Sequence, residues 1–357
     1  MGIKDVDTHK LMYYPEEVAR WMTTGAATPL HVEIGATNRC NHHCSFCSVD
    51  WATHGKVLID TEVLVKAIHS MADIGVRSIY FAGEGEPMLH PDIGKFLQAA
   101  WNRGIKTSMA TNGSRLTEKM IPEVLPYLSW VRFSIDAARP ETHKSIHKNK
   151  DFPRVIKHLR AAAAYKKEHN LEVELGAQFI VLEENLNELE EFADLMKDVG
   201  VDNIQFKPHH NHPKSASNPT LYNLTDEDLK QRLLARNTDD FVVMVRSKNI
   251  QEAPVVQIGK NHNYCYETCY AYNFLTLIDA YGECYGCNVF YNTPDYSFGN
   301  IHTQTFEEIH TSGQVQETMH RVAKLDHAQC GNYKCRPHVL NEYLHRIKNP
   351  EKGDEFI

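Results

Sequence analysis

Strand-like and helix-like segments alternate six times along the first two hundred residues of this chain, and that alternation restricts the fold more than any other feature. The six predicted strands cover 31–35, 78–82, 106–110, 131–135, 172–181 and 203–207. The predicted helices between them cover 62–74, 91–102, 116–125, 152–168 and 186–199. Strands joined by helices pair in parallel through right-handed crossovers. The pattern predicts an α/β fold, a partial (β/α)6 TIM-like barrel whose active end is the C-terminal rim of its strands.

The rest of the chain divides around this predicted barrel of residues 29–208. A helical lead-in is expected over 1–28, and a turn-rich, histidine-containing connector over 209–260. A small cysteine-rich α+β extension is expected over 261–339, followed by a tail over 340–357. Within the cysteine-rich extension, a hairpin is predicted from an alternating strand at 274–278, a turn at 280–282 and a return strand at 283–289.

Charge and composition exclude several classes of function. Lys and Arg number 38 against 46 Asp and Glu, and no basic run suggests a surface that binds nucleic acid. The sequence shows neither an apolar stretch long enough for a bilayer nor a signal peptide, so we expect a cytoplasmic protein without a membrane partner. Nine cysteines in a reducing compartment favour metal binding over disulfides.

Three cysteines cluster directly after the first predicted strand, at Cys40, Cys44 and Cys47. Cys-x3-Cys-x2-Cys on one loop supplies ligands for three corners of a cubane iron–sulfur cluster and leaves the fourth iron without a protein ligand. The alternative of three inert thiols is improbable at this spacing. An open iron at the rim of a barrel is a site for chemistry.

The motif, with Phe46 before its last cysteine, resembles the hallmark of radical S-adenosylmethionine (SAM) enzymes. The resemblance implies that a [4Fe-4S] cluster on these three cysteines binds SAM through its open iron. It further implies that an electron, from a donor such as flavodoxin or ferredoxin, cleaves SAM to a 5'-deoxyadenosyl radical that abstracts a substrate hydrogen.

Further resemblances follow at the ends of later strands. The motif 83–87 is similar to the family's glycine-rich edge near the SAM amino group, although Glu84 stands where the family more often has a second adjacent glycine. For some of these positions a turn, a cap or a core amide is the competing interpretation. The SAM-binding candidates implied by the resemblance are Phe46, Gly83, Gly85, Glu86, Thr111, Asn112, Ser134, Asp136 and Gln178.

A second group of cysteines resembles the twitch or SPASM extension of the family, which holds auxiliary iron–sulfur clusters. The predicted ligands of one auxiliary [4Fe-4S] cluster are Cys269, Cys287, Cys330 and Cys335. Cys265 and Cys284 are left over, and each could be an inert side chain, a ligand of a second cluster or a hydrogen-atom donor. Of these two, we take Cys284 as the candidate hydrogen-atom donor. Zinc on the same four thiolates is the structural alternative.

Three functions fit these features. The first is an oxidoreductase or epimerase acting on a small polar substrate such as a sugar, nucleoside sugar or aminocyclitol, since the four-cysteine extension resembles that of 2-deoxy-scyllo-inosamine dehydrogenase. The alternative is a SPASM-type peptide maturase that forms thioethers, epimerises or crosslinks. The roughly thirty residues before the first strand are short for a peptide-recognition domain, which favours the small molecule. The third is a non-enzymatic iron–sulfur carrier.

Overall fold

The computed structural model describes residues 9–209, 212, 214–217, 219–220, 222, 224–246, 266, 268–324 and 337–356. Within these residues the strands form one sheet, in the spatial order β7-β6-β5-β4-β3-β2-β1-β8-β9. In chain order they are His31–Ile34 (β1), Ser78–Phe81 (β2), Lys106–Thr111 (β3), Leu128–Ser134 (β4), Glu174–Val181 (β5), Asn203–Pro208 (β6), Val242–Val245 (β7), Leu275–Ile278 (β8) and Cys284–Tyr285 (β9). All neighbours pair in parallel except β8 and β9. The predicted α/β fold is confirmed, as an open sheet that does not close into a barrel.

Helices connect most of the parallel strands. In chain order they are Pro15–Thr24 (α1), Thr61–Asp73 (α2), Ile93–Asn102 (α3), Ile121–Val124 (α4), Pro140–His147 (α5), Phe152–Glu168 (α6), Leu189–Val199 (α7), Glu227–Leu234 (α8), Phe306–Thr311 (α9), Gln314–Ala323 (α10) and His338–Lys348 (α11). The Asp60 carboxylate caps α2 by accepting from the Val63 N–H at 3.0 Å. In the described part of the chain, each helix is too short or too polar to cross a lipid bilayer.

One predicted helix is mostly wrong. Of the segment 116–125, only α4 is α-helical. Pro122 stands in the first turn of α4, a position that tolerates proline because the missing N–H would have no intrahelical partner there. The residues before it form turns, so the helix begins late.

The two faces of the sheet differ in chemistry. In β1, Val32 and Ile34 are fully buried, whereas His31 and Glu33 on the opposite face are only half-buried. β2 repeats this alternation. Because successive side chains of a strand point to opposite faces, the apolar face packs against the helices and the inner face is left polar and partly open.

Two additions to the predicted sheet lie at its ends. β7 lies inside the predicted connector and pairs in parallel with β6. β8, the first strand of the predicted C-terminal hairpin, pairs in parallel with β1, so that Leu275 lies beside His31. The cysteine-rich extension is therefore continuous with the sheet, next to the strand that leads into the cysteine loop.

Helix α5 is supported by one buried carboxylate. Glu188, which is 1% exposed, accepts from the Ala138 N–H at 2.7 Å and the Arg139 N–H at 3.2 Å. It also accepts from the Thr142 hydroxyl in the first turn of the helix. A carboxylate at a helix N-terminus satisfies free N–H groups and complements the helix dipole.

We expect Glu188→Ala to destabilise the protein by about 2–3 kcal/mol, because buried N–H groups lose a charged acceptor. The urea midpoint of unfolding, followed by circular dichroism, measures the change. The matched control is Glu190→Ala, which removes a half-exposed carboxylate that pairs with Arg232 and Arg236 and should cost less than about 1 kcal/mol. Equal losses in the two variants would contradict this role of Glu188.

Candidate active site

The three cysteines of the first motif lie in the loop between β1 and α2, at the C-terminal edge of the sheet. Cys40, Cys44 and Cys47 are free, half-buried thiols. Burial, with smaller contributions from the Glu86 carboxylate and the neighbouring thiols, raises the pKa of Cys40 to about 12. Burial also raises the pKa of Cys47 to about 11. These thiols therefore keep their protons at neutral pH until a metal displaces them. The three cysteine sulfurs on this one loop fit a cubane cluster with one open iron.

The glycine-rich turn after β2 packs directly on this cysteine loop. A β-carbon at Gly85 would lie 2.2 Å from the Thr37 carbonyl oxygen and 2.6 Å from the Arg39 carbonyl oxygen. The N–H of Glu86 donates to the same Arg39 oxygen at 2.8 Å. Only glycine permits this approach, so Gly85 sets the distance between the second strand and the cysteine loop.

Glu86, Thr111 and Asn112 form one buried network. The Glu86 carboxylate accepts from the Thr111 hydroxyl at 2.6 Å, the Asn112 N–H at 2.7 Å and the Met88 N–H at 3.1 Å. The Asn112 side chain in turn donates to the Asn41 side chain of the cysteine loop at 3.0 Å. The structure thus brings these three SAM-binding candidates together, with Glu86 already engaged by protein donors. Their contact with SAM stays a prediction.

Glu84 reaches away from that network towards the cysteine-rich extension. Its carboxylate is 3% exposed and accepts from the Ala280 N–H, just after β8, at 2.6 Å. Burial raises the pKa of Glu84 to about 8. Gly35 lies against the same carboxylate, since a β-carbon there would be 2.2 Å from Oε2. Glu84 therefore joins the turn after β2 to the extension, while Gly83 takes a positive φ of 123° that suits glycine.

The candidates on β4 and β5 divide into two environments. Ser134 and Gln178 are register partners and are half-buried. Asp136 is fully buried, and its carboxylate accepts from the Ile180 N–H at 2.5 Å and lies 3.2 Å from His147 Nε2. The Phe46 ring packs edge-on to His147, with ring centroids 5.7 Å apart. Asp136 and Phe46 thus contact protein groups beneath the cysteine loop, and a SAM contact for either stays a prediction.

Sequence reasoning missed a set of buried histidines beneath the cysteine loop. Burial lowers the pKa of His42 to about 4 and the pKa of His143 to about 3. Burial also opposes charge on His147, but Cys44 and Asp136 outweigh it and raise the pKa of His147 to about 10. The signal in the sequence was a pair of histidines four residues apart, 143 and 147, which share one face of a helix.

The cysteines of the extension are partly described. Cys269 and Cys287 are half-buried, and the Asn341 amide of α11 donates to Cys269 Sγ at 3.4 Å. Cys284 on β9 is fully buried, and its thiol lies 4.0 Å from the Gly282 carbonyl oxygen. Burial raises the pKa of Cys284 well above its usual range. The predicted ligands Cys330 and Cys335, and the leftover Cys265, lie outside the described residues.

Two family models match the chain. The model of the radical SAM superfamily matches residues 34–196, which include the three cysteines of the first motif. The model of the SPASM iron-sulfur cluster-binding domain matches residues 269–336. These matches confirm the predicted cofactors, a [4Fe-4S] cluster and SAM in the first domain and auxiliary iron–sulfur binding in the second.

Individual relatives agree with this assignment. The chain is 22% identical over 312 residues to the antilisterial bacteriocin subtilosin biosynthesis protein AlbA of Bacillus subtilis, covering 86% of this chain and 65% of AlbA. It is 26% identical over 234 residues to a PqqA peptide cyclase of Bradyrhizobium diazoefficiens, covering 60% of this chain and 58% of the cyclase. The chain thus spans somewhat less than two thirds of each relative.

Among solved structures, SuiB of Streptococcus suis bound to its precursor peptide SuiA shares the fold. The TM-score is 0.66 at 16% sequence identity, covering 96% of this chain and 78% of SuiB. The three-cysteine loop, the glycine-rich turn packed on it and the two matching family models agree. The chain carries a radical SAM superfamily domain over residues 34–196 and a C-terminal SPASM iron–sulfur cluster-binding domain over residues 269–336.

Proposed function

We propose that this protein is a radical SAM enzyme that modifies a peptide. The observation that carries the proposal is the similarity to AlbA and to PqqA peptide cyclase, which spans 86% and 60% of this chain. The names of these relatives concern bacteriocin biosynthesis and peptide cyclisation, and SuiB has been seen with a precursor peptide. The relatives therefore favour a peptide over the sugar, nucleoside sugar or aminocyclitol that the sequence led us to expect.

The open sheet supplies a suitable surface for such a substrate. Its inner face carries half-buried polar side chains from separate strands, among them Glu33, Arg132, Gln178 and Lys207. Arg132 lies in register between Ala110 and Gly176, and its guanidinium lies 5.0 Å from the centre of the Trp130 ring. Acidic, basic and amide side chains on one face of the sheet can pair with the alternating N–H and C=O groups of a peptide backbone.

The residues at the C-terminal edge of the sheet would have two roles, cluster binding and positioning of the turn after β2. Cys40, Cys44 and Cys47 would hold the cluster, which with bound SAM supplies the hydrogen-abstracting chemistry of the family. Glu86 fixes the turn after β2 to the end of the third strand through two hydrogen bonds, from the Thr111 hydroxyl and the Asn112 N–H, and accepts a third from the Met88 N–H within its own turn. Burial of these groups excludes water from the base of the site, which protects a reactive radical from side reactions.

The proposal extends to the partners and the second domain. The four cysteines predicted as auxiliary ligands, among them Cys269 and Cys287, would hold one cluster. Because all its irons would have protein ligands, that cluster would relay electrons rather than bind substrate. The net reaction depends on the fate of the substrate radical. If the radical loses an electron to the auxiliary cluster, the result is oxidative crosslinking; if it gains a hydrogen atom, the result is epimerisation. A reducing donor such as flavodoxin or ferredoxin, and a reducing cytoplasmic setting, complete the proposal.

We expect Cys44→Ala to abolish formation of 5'-deoxyadenosine from SAM, because the cluster loses one of its three protein ligands. The reduced, anaerobically reconstituted protein is incubated with SAM, and the product is measured by liquid chromatography. The matched control is Ser45→Ala on the same loop, where the backbone of Ser45 makes the contacts with Ile146 and Ser217. Retained cleavage in Cys44→Ala would contradict the ligand assignment.

We expect a peptide substrate to raise 5'-deoxyadenosine formation and to change mass in the same reaction. Synthetic peptides encoded by any short open reading frames next to the gene are the probes, and mass spectrometry follows the peptide. Parallel reactions contain a nucleotide sugar or an aminocyclitol instead. Stimulation by one of these small molecules, with every peptide unchanged, would contradict the proposed function and favour the small polar substrate.

A further inference from the structure

Three buried histidine rings lie together beneath the cysteine loop, and the proposed function uses none of them. His42 comes from the loop itself, and His143 and His147 come from α5. Their ring centroids are 4.3 Å apart for His143 and His147, 5.3 Å for His42 and His147, and 5.7 Å for His42 and His143. Each ring is at most 2% exposed.

One of these rings touches a predicted cluster ligand. His147 Nδ1 lies 3.1 Å from Cys44 Sγ. The other ring nitrogen, Nε2, lies 2.9 Å from the Ile135 carbonyl oxygen and 3.2 Å from Asp136 Oδ2. A carbonyl oxygen can only accept, so Nε2 carries a proton. An iron-bound cysteine is a thiolate and also only accepts, so Nδ1 must donate to it when the cluster is present.

The charge that results from two N–H groups on one ring has a partner. Asp136 is fully buried, and its Oδ2 makes no other hydrogen bond within the described residues. Its Oδ1 is held by the Ile180 N–H at 2.5 Å, which fixes the carboxylate in place. Asp136, His147 and Cys44 therefore form a line from the core of the protein to the cysteine loop.

The backbone fixes the same contact from both sides of Cys44. The His43 N–H donates to the His147 carbonyl oxygen at 3.0 Å, and the Ser45 N–H donates to the Ile146 carbonyl oxygen at 2.8 Å. The end of α5 is thus bonded to the residues before and after the cysteine. The position of Cys44 Sγ depends on this helix end as much as on its own loop.

A competing interpretation is a separate metal site. Ligand atoms of His42, Cys44 and His147 lie within 4.8 Å of one another, which suits a zinc ion bound by two nitrogens and one sulfur. Such an ion would take the sulfur that the three-cysteine motif needs for its cluster. In the alternative, His147 lies between the Asp136 carboxylate and Cys44 Sγ and donates to the sulfur, so that Cys44 remains free to bind the iron.

We propose that His147 is a positioning residue for the SAM-binding cluster, donating from Nδ1 to Cys44 Sγ with Asp136 behind it. Hydrogen bonds to ligand sulfurs stabilise the reduced, more negative cluster and so raise its reduction potential. The inference rests on Cys44 being a ligand of this cluster and not on which substrate is modified. Its test therefore needs no substrate, and its failure is separate from failure of the peptide proposal.

The test compares His147→Gln with His147→Asn. Asparagine places an amide nitrogen near the position of Nδ1, and glutamine places one near the position of Nε2. We expect a lower reduction potential for the SAM-binding cluster in His147→Gln, with most of the shift restored in His147→Asn. The matched control is His143→Gln, on the same helix and equally buried, whose ring stacks on His147; its potential should stay at the wild-type value.

The potential is measured by anaerobic redox titration with electron paramagnetic resonance, and iron and zinc are counted in every sample. Loss of iron from His147→Gln alone, with His147→Asn keeping it, also supports the proposal. A wild-type potential with full iron in His147→Gln would overturn it. Equal loss of iron in His147→Gln, His147→Asn and His143→Gln would also overturn it, because it would indicate general damage to the core. One zinc ion per chain in place of iron in the wild type would overturn it as well.

Discussion

Contact between the cysteine loop and the ends of β2, β3 and α5 is the constraint on which the rest of the site depends. The loop is long and carries little regular structure, so its own sequence does not fix the three sulfurs. Backbone atoms of Thr37 and Arg39 lie against Gly85, and Asn41 bonds to Asn112. Each contact uses a backbone or amide group, which resists rotation better than a long side chain does.

The second domain is held against the same side of the sheet, next to the cysteine loop. β8 pairs with β1, and Glu84 in the glycine-rich turn accepts from the Ala280 N–H. A residue that departs from the usual glycine of the family thereby links the SAM-binding side to the SPASM side. The carboxylate is buried and its pKa is raised to about 8, so a neutral hydrogen-bonding form is available at neutral pH.

The sequence predicted the repeating core of this fold because its periodicity is local. All six predicted strands, α6 and the loop position of Cys40, Cys44 and Cys47 follow from patterns within about fifteen residues. α5 went unrecognised because its eight residues carry few apolar side chains. β7 went unrecognised although its four residues are all apolar, because it lies in the segment assigned as a connector. The contact of His147 with Cys44 joins residues 103 positions apart. No pattern in one sequence reports such a distance, and only the fold brings the two together.

The central claim is that Cys40, Cys44 and Cys47 hold a cubane cluster with an iron open to SAM. Electron paramagnetic resonance of the reduced protein, recorded before and after addition of SAM, tests it most directly. The account predicts a change in the cluster signal on addition of SAM, and loss of that responsive signal when the three cysteines are replaced by alanine. A signal that ignores SAM, or one that responds equally after the cysteines are replaced, would contradict it.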